Sequence, residues 1–225
     1  ILSKARSRPV WHLSLQMGGG TAKTVDWLVK GSQVGLVTPT RESFVHRWDL
    51  YNDPRLGMLT AFQTAGVAVI AKPPVTREHR EAVWEDVASR GLMAFDIHLV
   101  ADGRFLGEAG LSKIAWPQAS ADIAVALFEE EDRGLGYGTE AVMLLVAYAF
   151  DALGLNRVMI RYLNVNEAVV HAVEHSATEV GGRLAGVERD ADWAFGSYRD
   201  RLVIEVTRED FPPHPATAHL RELPG

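Results

Sequence analysis

Cysteine is absent from this chain of 225 residues. The absence excludes a disulfide framework, a thiolate metal site and a cysteine nucleophile. A chain without cysteine fits a reducing compartment, and we therefore expect a cytoplasmic protein.

Positive charge and long apolar runs are also scarce. The net charge is −6, and basic residues cluster only at Lys4–Arg8. A nucleic-acid binder would need a basic stripe to neutralise phosphates, so we expect no nucleic-acid partner. No apolar run approaches the roughly 20 residues that cross a bilayer. Residues 1–16 lack the apolar centre of a signal peptide, so neither membrane insertion nor secretion is expected.

The chain has the composition of a globular protein with a real core, because 47% of its residues are hydrophobic and 23% are charged. We predict an irregular N-terminal extension over residues 1–24, one domain over 25–211 and a proline-containing tail over 212–225. The length fits one domain with extensions.

Hydrophobic periodicity predicts a mixed α/β fold with a mostly antiparallel sheet. Asp102-Gly103 between two apolar runs indicates a hairpin, and Thr76 is a suitable N-cap for the helix that follows it. The predicted strands are 27–29, 34–37, 92–100, 105–114, 123–128, 158–163 and 202–206, and the predicted helices are 42–52, 76–90, 139–153 and 167–175.

The segment Arg133–Glu140 reads Arg-Gly-Leu-Gly-Tyr-Gly-Thr-Glu and joins a predicted strand to the longest predicted helix. A helix start presents unpaired N–H groups and the positive end of the dipole, which together suit a pyrophosphate. Glycines let the backbone approach the phosphates. Arg133 adds a cation and Thr139 a hydroxyl. The alternative is a glycine-rich turn without a ligand.

The sequence matches neither of two other phosphate-binding motifs. The glycine spacing here is G-x-G-x-G, whereas a dinucleotide fingerprint requires G-x-G-x-x-G. A P-loop requires G-x-x-x-x-G-K followed by Ser or Thr, and its closest imitation is Met17–Thr24, where Met17 and Ala22 replace both glycines.

Arg133-x-x-Gly136-x-Gly138 matches the cofactor-binding signature of the GNAT acetyltransferase superfamily. The resemblance covers residues 31 to 211 and is strongest to the branch that acetylates ribosomal-protein N-termini. The further motifs, in chain order, are Gly31–Leu36, Thr76 with Trp84, Phe105–Glu108, Arg133–Ala141, Ala147–Phe150, Leu153–Arg157, Asn166 and Tyr198–Asp200.

The resemblance implies a GNAT fold in which strands 121–128 and 157–163 splay apart around the pantetheine of acetyl-CoA. It also implies direct attack of an amine on the thioester, with acetyl-CoA as co-substrate and no metal. The acceptor would be a protein N-terminus or a small-molecule amine, and a homodimer is compatible with the sequence. The implied cofactor-binding residues are Val125, Leu127, Arg133, Gly134, Gly136, Tyr137, Gly138, Thr139 and Asn166.

Glu108 and Asp122 are the candidate general bases, because each lies on a strand that the resemblance puts beside the cleft. His98 is a third candidate. An α-amino acceptor, with a pKa of about 8, needs less help from a base than a lysine amine with a pKa of about 10.4. Val173 stands where the family often has a proton-donating tyrosine, and His171 or Tyr162 are candidate substitutes.

Two alternatives stay open. An intact Arg133–Thr139 turn beside an altered helix would suit a CoA-binding protein without catalysis. His171-x-x-Glu174-His175 reads H-x-x-E-H, an inverted zinc-protease motif with two histidines on one helix face. The sequence assigns no clear third zinc ligand.

Overall fold

A computed structural model of the chain describes residues 25–52, 75–89, 91–163, 167–194 and 196–221. The strands are β1 (Val29–Lys30), β2 (Val34–Val37), β3 (Met93–Leu99), β4 (Phe105–Ala115), β5 (Ser120–Leu127), β6 (Arg157–Leu163), β7 (Arg183–Ala194) and β8 (Ser197–Thr207). The helices are α1 (Arg41–His46), α2 (Arg77–Ala88), α3 (Tyr137–Asp151), α4 (Glu167–Glu179) and α5 (Ala218–Arg221). Short 3-10 turns cover Asp49–Asn52, Trp116–Gln118, Glu130–Asp132 and Pro215–Thr217.

The eight strands form one sheet in the order β1-β2-β3-β4-β5-β6-β8-β7. Every neighbouring pair is antiparallel except β5 with β6. The parallel pair runs from Ser120 opposite Arg157 to Ile123 opposite Ile160 and then stops, although both strands continue. The predicted α/β fold with its mostly antiparallel sheet and a splayed central pair is therefore confirmed.

Helix α3 supplies the centre of the core on one face of the sheet. Its sequence is apolar on almost every side, which suits a helix buried against a sheet. Leu144, Leu145, Val146 and Phe150 are buried there. Each such side chain contributes roughly 1.5–3 kcal/mol by leaving water.

Helices α1 and α2 lie on the opposite face, because successive strand residues point to opposite sides of a sheet. Phe95 and Ile97 of β3 join the α3 core, whereas Asp96 between them binds a side chain of the α1 segment. Thr76 caps α2 by accepting from the His79 N–H at 3.2 Å, as the sequence predicts.

Strand β7 corrects the sequence prediction, because no strand was predicted between residues 163 and 202. Strand β7 pairs with β8 in a long antiparallel hairpin. The register shifts between Leu184 and Gly186 and again between Glu188 and Asp192. These irregularities break the period-two pattern by which a strand is identified.

The described part of the predicted tail packs against the end of α3. Thr217 is buried and donates to Asp151 Oδ2 at 2.6 Å, and Arg221 Nε lies 3.3 Å from the same carboxylate. The predicted domain boundaries stay predictions. No described helix is long and apolar enough to cross a membrane.

Candidate active site

The glycine-rich loop runs from the end of β5 to the start of α3. Gly134 and Gly136 have φ values of 72° and 86°, in the left-handed region that favours glycine. Gly136 is the N-cap of α3 and has no side chain to cap it. The first N–H groups of the helix are therefore left for another acceptor.

A cavity of about 560 Å³ opens beside this loop, between α3, α4 and the gap where β5 leaves β6. Its walls are mostly aliphatic or backbone. They are formed by Ile123–Leu127 of β5, Ile160 of β6, Arg133, Gly134, Gly136, Gly138, Thr139 and Val142 of the loop and α3, and Ala172, Val173, His175 and Ser176 of α4.

The cavity brings together most of the residues that the sequence implied for cofactor binding. Val125, Leu127, Arg133, Gly134, Gly136, Gly138 and Thr139 all line it. Tyr137 packs its ring against the core instead, and Asn166 lies outside the described residues. The role of these residues in binding stays a prediction.

The cavity has room for a ligand at its glycines. A Cβ on Gly138 would lie 3.7 Å from Leu127 Cδ1, which is ordinary contact, and a Cβ on Gly136 would lie 3.6 Å from the nearest atom of Gln33. A larger side chain on Gly138 would extend into the space between the loop and Leu127 of β5. The residues present therefore fit a ligand that approaches the backbone closely.

Arg133 ties the loop to β5. Its Nη2 atom donates to the Leu127 and Phe128 carbonyls at 3.2 and 3.0 Å. Arg133 lines the cavity, and among the described residues no carboxylate pairs with it.

The preceding residue, Asp132, connects the loop to Arg104, which lies just before β4. It is buried and accepts from both terminal nitrogens of Arg104, at 2.8 and 2.7 Å. The hydrogen bond to Asp132 also raises the pKa of Arg104. This pair could not be predicted from the sequence, because the two residues are far apart in the chain.

Thr139 makes a contact that the sequence did not predict. Its Oγ1 lies 3.0 Å from Ser176 Oγ of α4, and Ser176 is buried. The bond joins the start of α3 to α4 across the cavity. One of the two hydroxyl protons is left to donate into the cavity.

Glu108 lies on the α1–α2 face in a dense group of charges. Its carboxylate accepts from Arg47 Nε at 3.0 Å, from Arg80 Nη2 at 2.9 and 3.2 Å, and from the Tyr51 hydroxyl. The side chain is 3% exposed. Burial and then Glu108 raise the pKa of Tyr51 well above its ordinary value.

Asp96 and His98 extend this group along β3. Arg47 donates to both oxygens of Asp96, at 2.5 and 3.3 Å. Burial opposes the charge of Arg47, yet Asp96 and Glu108 raise its pKa. His98 Nδ1 lies 2.9 Å from the Gly103 carbonyl and serves as the donor there, whereas its Nε2 has no hydrogen-bond partner among the described residues.

Asp122 lies one residue before the last β5–β6 pair, on the same face as Glu108. It is bound by Arg161 Nη1 and by Lys113 Nζ, the latter at 3.0 Å. The Lys113 side chain is 60% exposed. The catalytic roles predicted for Glu108 and Asp122 stay predictions.

Neither candidate substitute for the missing tyrosine is among the residues that line the cavity. Val173, at the position of that tyrosine, does line it, whereas His171 is exposed. Tyr162 is buried, its hydroxyl has no hydrogen-bond partner among the described residues, and burial followed by Glu174 raises its pKa.

His175, the second histidine of H-x-x-E-H, lines the cavity. Within the described ranges no three His, Asp or Glu side chains are grouped to hold a metal ion.

Comparison with protein families identifies the family of the chain. The sequence model of the acetyltransferase (GNAT) domain matches residues 33–177, well over half of the chain. The protein belongs to the GNAT acetyltransferase family. It is an acyltransferase, and the resemblance identified from the Arg133–Gly138 motif is confirmed.

Solved structures share this fold at low sequence identity. The spermidine N-acetyltransferase of Vibrio cholerae, in complex with CoA and spermine, superimposes with a TM-score of 0.66 at 18% identity, over 80% of this chain and 98% of that one. RimJ of Mycobacterium smegmatis, in complex with CoA-disulfide, superimposes with a TM-score of 0.64 at 20% identity, over 83% of this chain and 87% of that one.

The ribosomal-protein-S5-alanine acetyltransferase of Vibrio fischeri gives a TM-score of 0.61 at 16% identity, over 82% of this chain and 98% of that one. Among curated proteins the chain has no significant match. Identities this low show the common fold alone.

Proposed function

We propose that this GNAT protein is an acetyl-CoA-dependent N-acetyltransferase that transfers the acetyl group directly to a primary amine. The observation that carries the proposal is the cavity between the splayed strands, which begins at an uncapped glycine-rich helix start. Two structural neighbours carry CoA or CoA-disulfide on the same fold, which supports this donor.

The phosphates of acetyl-CoA would bind at Gly134–Thr139. The N–H groups at the start of α3 and the guanidinium of Arg133 would oppose their negative charge. The pantetheine would follow β5 beyond Ile123, where β6 no longer pairs with that strand. Its amide groups would use the backbone groups of this edge as an added strand does.

In the reaction the amine nitrogen attacks the thioester carbonyl carbon, the C–S bond breaks and the amine loses a proton. A CoA thiol with a pKa near that of cysteine, about 8.5, gives a tolerable leaving group. The aliphatic Val173 on the α4 wall therefore does not prevent transfer. Holding amine and thioester together in one ternary complex supplies most of the rate.

We propose Asp122 as the residue that takes the amine proton. It lies beside the point where β5 and β6 separate, and its partner Lys113 is exposed enough to move away. An arriving ammonium group could take the place of Lys113 and then transfer its proton.

Glu108 is the less suitable base. Its oxygens accept from two buried guanidinium groups and a phenol, whereas Asp122 is bound by one guanidinium, that of Arg161, and by the exposed Lys113. We propose that it fixes Arg47, Arg80 and Tyr51 as one wall of the acceptor site.

The structural neighbours and the net charge support the choice of acceptor class. The neighbours include a spermidine N-acetyltransferase and a ribosomal-protein-S5-alanine acetyltransferase. We propose a protein N-terminus or a small primary amine, to which the net charge of −6 is favourable.

A panel of amines tests the proposal by release of free CoA thiol, with N-terminal peptides, polyamines and lysine-like amines as separate arms. We expect one arm to release thiol in proportion to protein. CoA binding without thiol release from any arm would contradict transfer to these amines and would instead support the alternative of a non-catalytic CoA-binding protein.

A further inference from the structure

The turn between β1 and β2, residues 31–33, lies directly against the start of α3. Glu140 of α3 accepts from the Ser32 N–H at 2.5 Å and from the Ser32 hydroxyl at 2.7 Å. The same carboxylate accepts from the N–H groups of Gln33 and Val34 at 2.9 and 3.1 Å. One side chain thus holds the whole turn.

Burying Glu140 costs free energy, because the residue is 9% exposed and forms no salt bridge with a described residue. The turn and the positive end of α3 stabilise the charge in place of a cation. Gly31 permits this close packing, since a Cβ there would lie 2.5 Å from Glu140 Oε1. The turn is therefore fixed relative to the first turn of α3.

The fixed turn brings Gln33 to the glycine-rich loop. Its Nε2 atom is the nearest atom to a Cβ placed on Gly136, at 3.6 Å. The Gln33 side chain is exposed, and its amide donates to none of the described residues. An unengaged N–H donor therefore lies beside the helix start at which a phosphate would bind.

We propose that the β1–β2 turn is an outer wall of the phosphate site, in which the Gln33 amide donates to a phosphate oxygen of CoA. Glu140 is the positioning residue that holds the turn there. The proposal rests on the proposed function and extends it, because this wall recognises the phosphates and not the pantetheine. The protein would therefore distinguish CoA from thiols that lack phosphates.

The test compares Gln33→Glu with the parent for two ligands, CoA by calorimetry and phosphate-free pantetheine by NMR titration. The new carboxylate would oppose the phosphates and remove a donor. We expect the Kd for CoA to rise about tenfold, as for the loss of one charge-assisted hydrogen bond, while the Kd for pantetheine stays within about twofold. Gln118→Glu is the matched control, because Gln118 is exposed on the Trp116–Gln118 turn.

Glu140→Gln tests the positioning role. The amide of the new glutamine cannot accept from all the donors of the turn, so the variant should also bind CoA more weakly, with a smaller effect on pantetheine binding. Thermal unfolding without ligand reports whether the variant stays folded. Unchanged CoA binding by Gln33→Glu, or an equal loss of both ligands, would overturn the inference alone. Failure of the parent itself to bind CoA would remove the proposed function and this inference together.

Discussion

The two faces of β5 differ in how they are built. On the α3–α4 face the walls are aliphatic side chains, glycines and backbone, and Arg133 pairs with no carboxylate among the described residues. On the opposite face buried charges are paired with one another, as Glu108 is with Arg47 and Arg80. The proposed function uses this difference, because a donor with phosphates would bring its own negative charge to the first face, whereas the Glu108 group on the second is already charge-paired within the protein.

This difference suggests how one family keeps a donor and changes its acceptor. Backbone N–H groups and a helix start recognise a pyrophosphate without side chains, so that site depends on glycine spacing. Paired side chains can be exchanged one at a time, and each exchange alters the shape and charge of the acceptor wall.

The largest effect should come from breaking the charge group around Glu108 on the α1–α2 face. Glu108→Ala leaves two buried guanidinium groups without their shared carboxylate, which costs about 3–5 kcal/mol of unfolding free energy. That loss corresponds to a decrease in Tm of about 10 °C for a protein of this size. Thermal unfolding measures it, and CoA affinity of the folded fraction should be unchanged.

Glu108→Gln is the matched control, because it keeps the shape and one acceptor oxygen. A Glu108→Ala variant as stable as the parent would contradict the importance assigned to this charge group.

The next effect concerns Asp122, whose proposed role is chemical. Asp122→Asn keeps the size of the side chain and removes its capacity to take a proton. We expect kcat with the active amine to fall about 100-fold, the lower end of the range for general-base catalysis, while the Kd for CoA is unchanged. Steady-state kinetics measures kcat, and calorimetry measures the Kd for CoA. An unchanged kcat would show that Asp122 is not the general base.

Sequence reasoning worked best where the structure depends on neighbouring residues. The Asp102-Gly103 turn, the Thr76 cap and the glycines before α3 all follow from local backbone requirements, and Gly103 indeed has a φ of 76°. The apolar α3 was predictable for the same reason.

The charge group on the α1–α2 face was not predictable in this way. It joins residues from the C-cap of α1, a 3-10 turn, α2, β3 and β4, and only the sheet register brings Asp96 opposite Glu108. Strand β7 was missed because its register shifts hide the alternation. Long-range pairing leaves no periodic pattern for a single sequence to show.

A smaller effect should follow from loosening the glycine-rich loop at Asp132. Arg104→Met leaves this buried carboxylate unpaired, and we expect a loss of about 1–2 kcal/mol, in the lower part of the usual range. The estimate is low because the Arg104 side chain is 41% exposed. CoA affinity should fall a few-fold, since the loop continues directly from Asp132 into Arg133.

Calorimetry and thermal unfolding measure both quantities for Arg104→Met. Arg183→Met is the control for removing a surface arginine, because the Arg183 side chain is mostly exposed and far from the loop in the β7 strand. Equal effects of the two variants on CoA affinity would argue against a positioning role for the Arg104–Asp132 pair.

The smallest effect is a pH dependence of stability that arises from Tyr51 on the α1–α2 face. The raised pKa of Tyr51 means that the folded state favours the neutral phenol. Its contribution to stability is complete below the unfolded pKa of about 10 and is lost as pH rises above that value. The Tm of Tyr51→Phe should therefore fall less than the Tm of the parent when the pH is raised from about 9 to 11.

The matched control is Tyr198→Phe, because Tyr198 is 61% exposed. It should keep the alkaline slope of the parent. Equal slopes in the parent and in Tyr51→Phe would contradict the assignment.

The most direct test of the whole account is a calorimetric titration of acetyl-CoA into the parent and into Gly138→Leu. Leucine at this helical position extends into the cavity without a left-handed backbone, and thermal unfolding without ligand should be unchanged or improved. We predict micromolar binding by the parent and its loss in the variant. Equal binding by both proteins would show that acetyl-CoA does not bind at Gly134–Thr139. No binding by the parent at millimolar acetyl-CoA would contradict the proposed function.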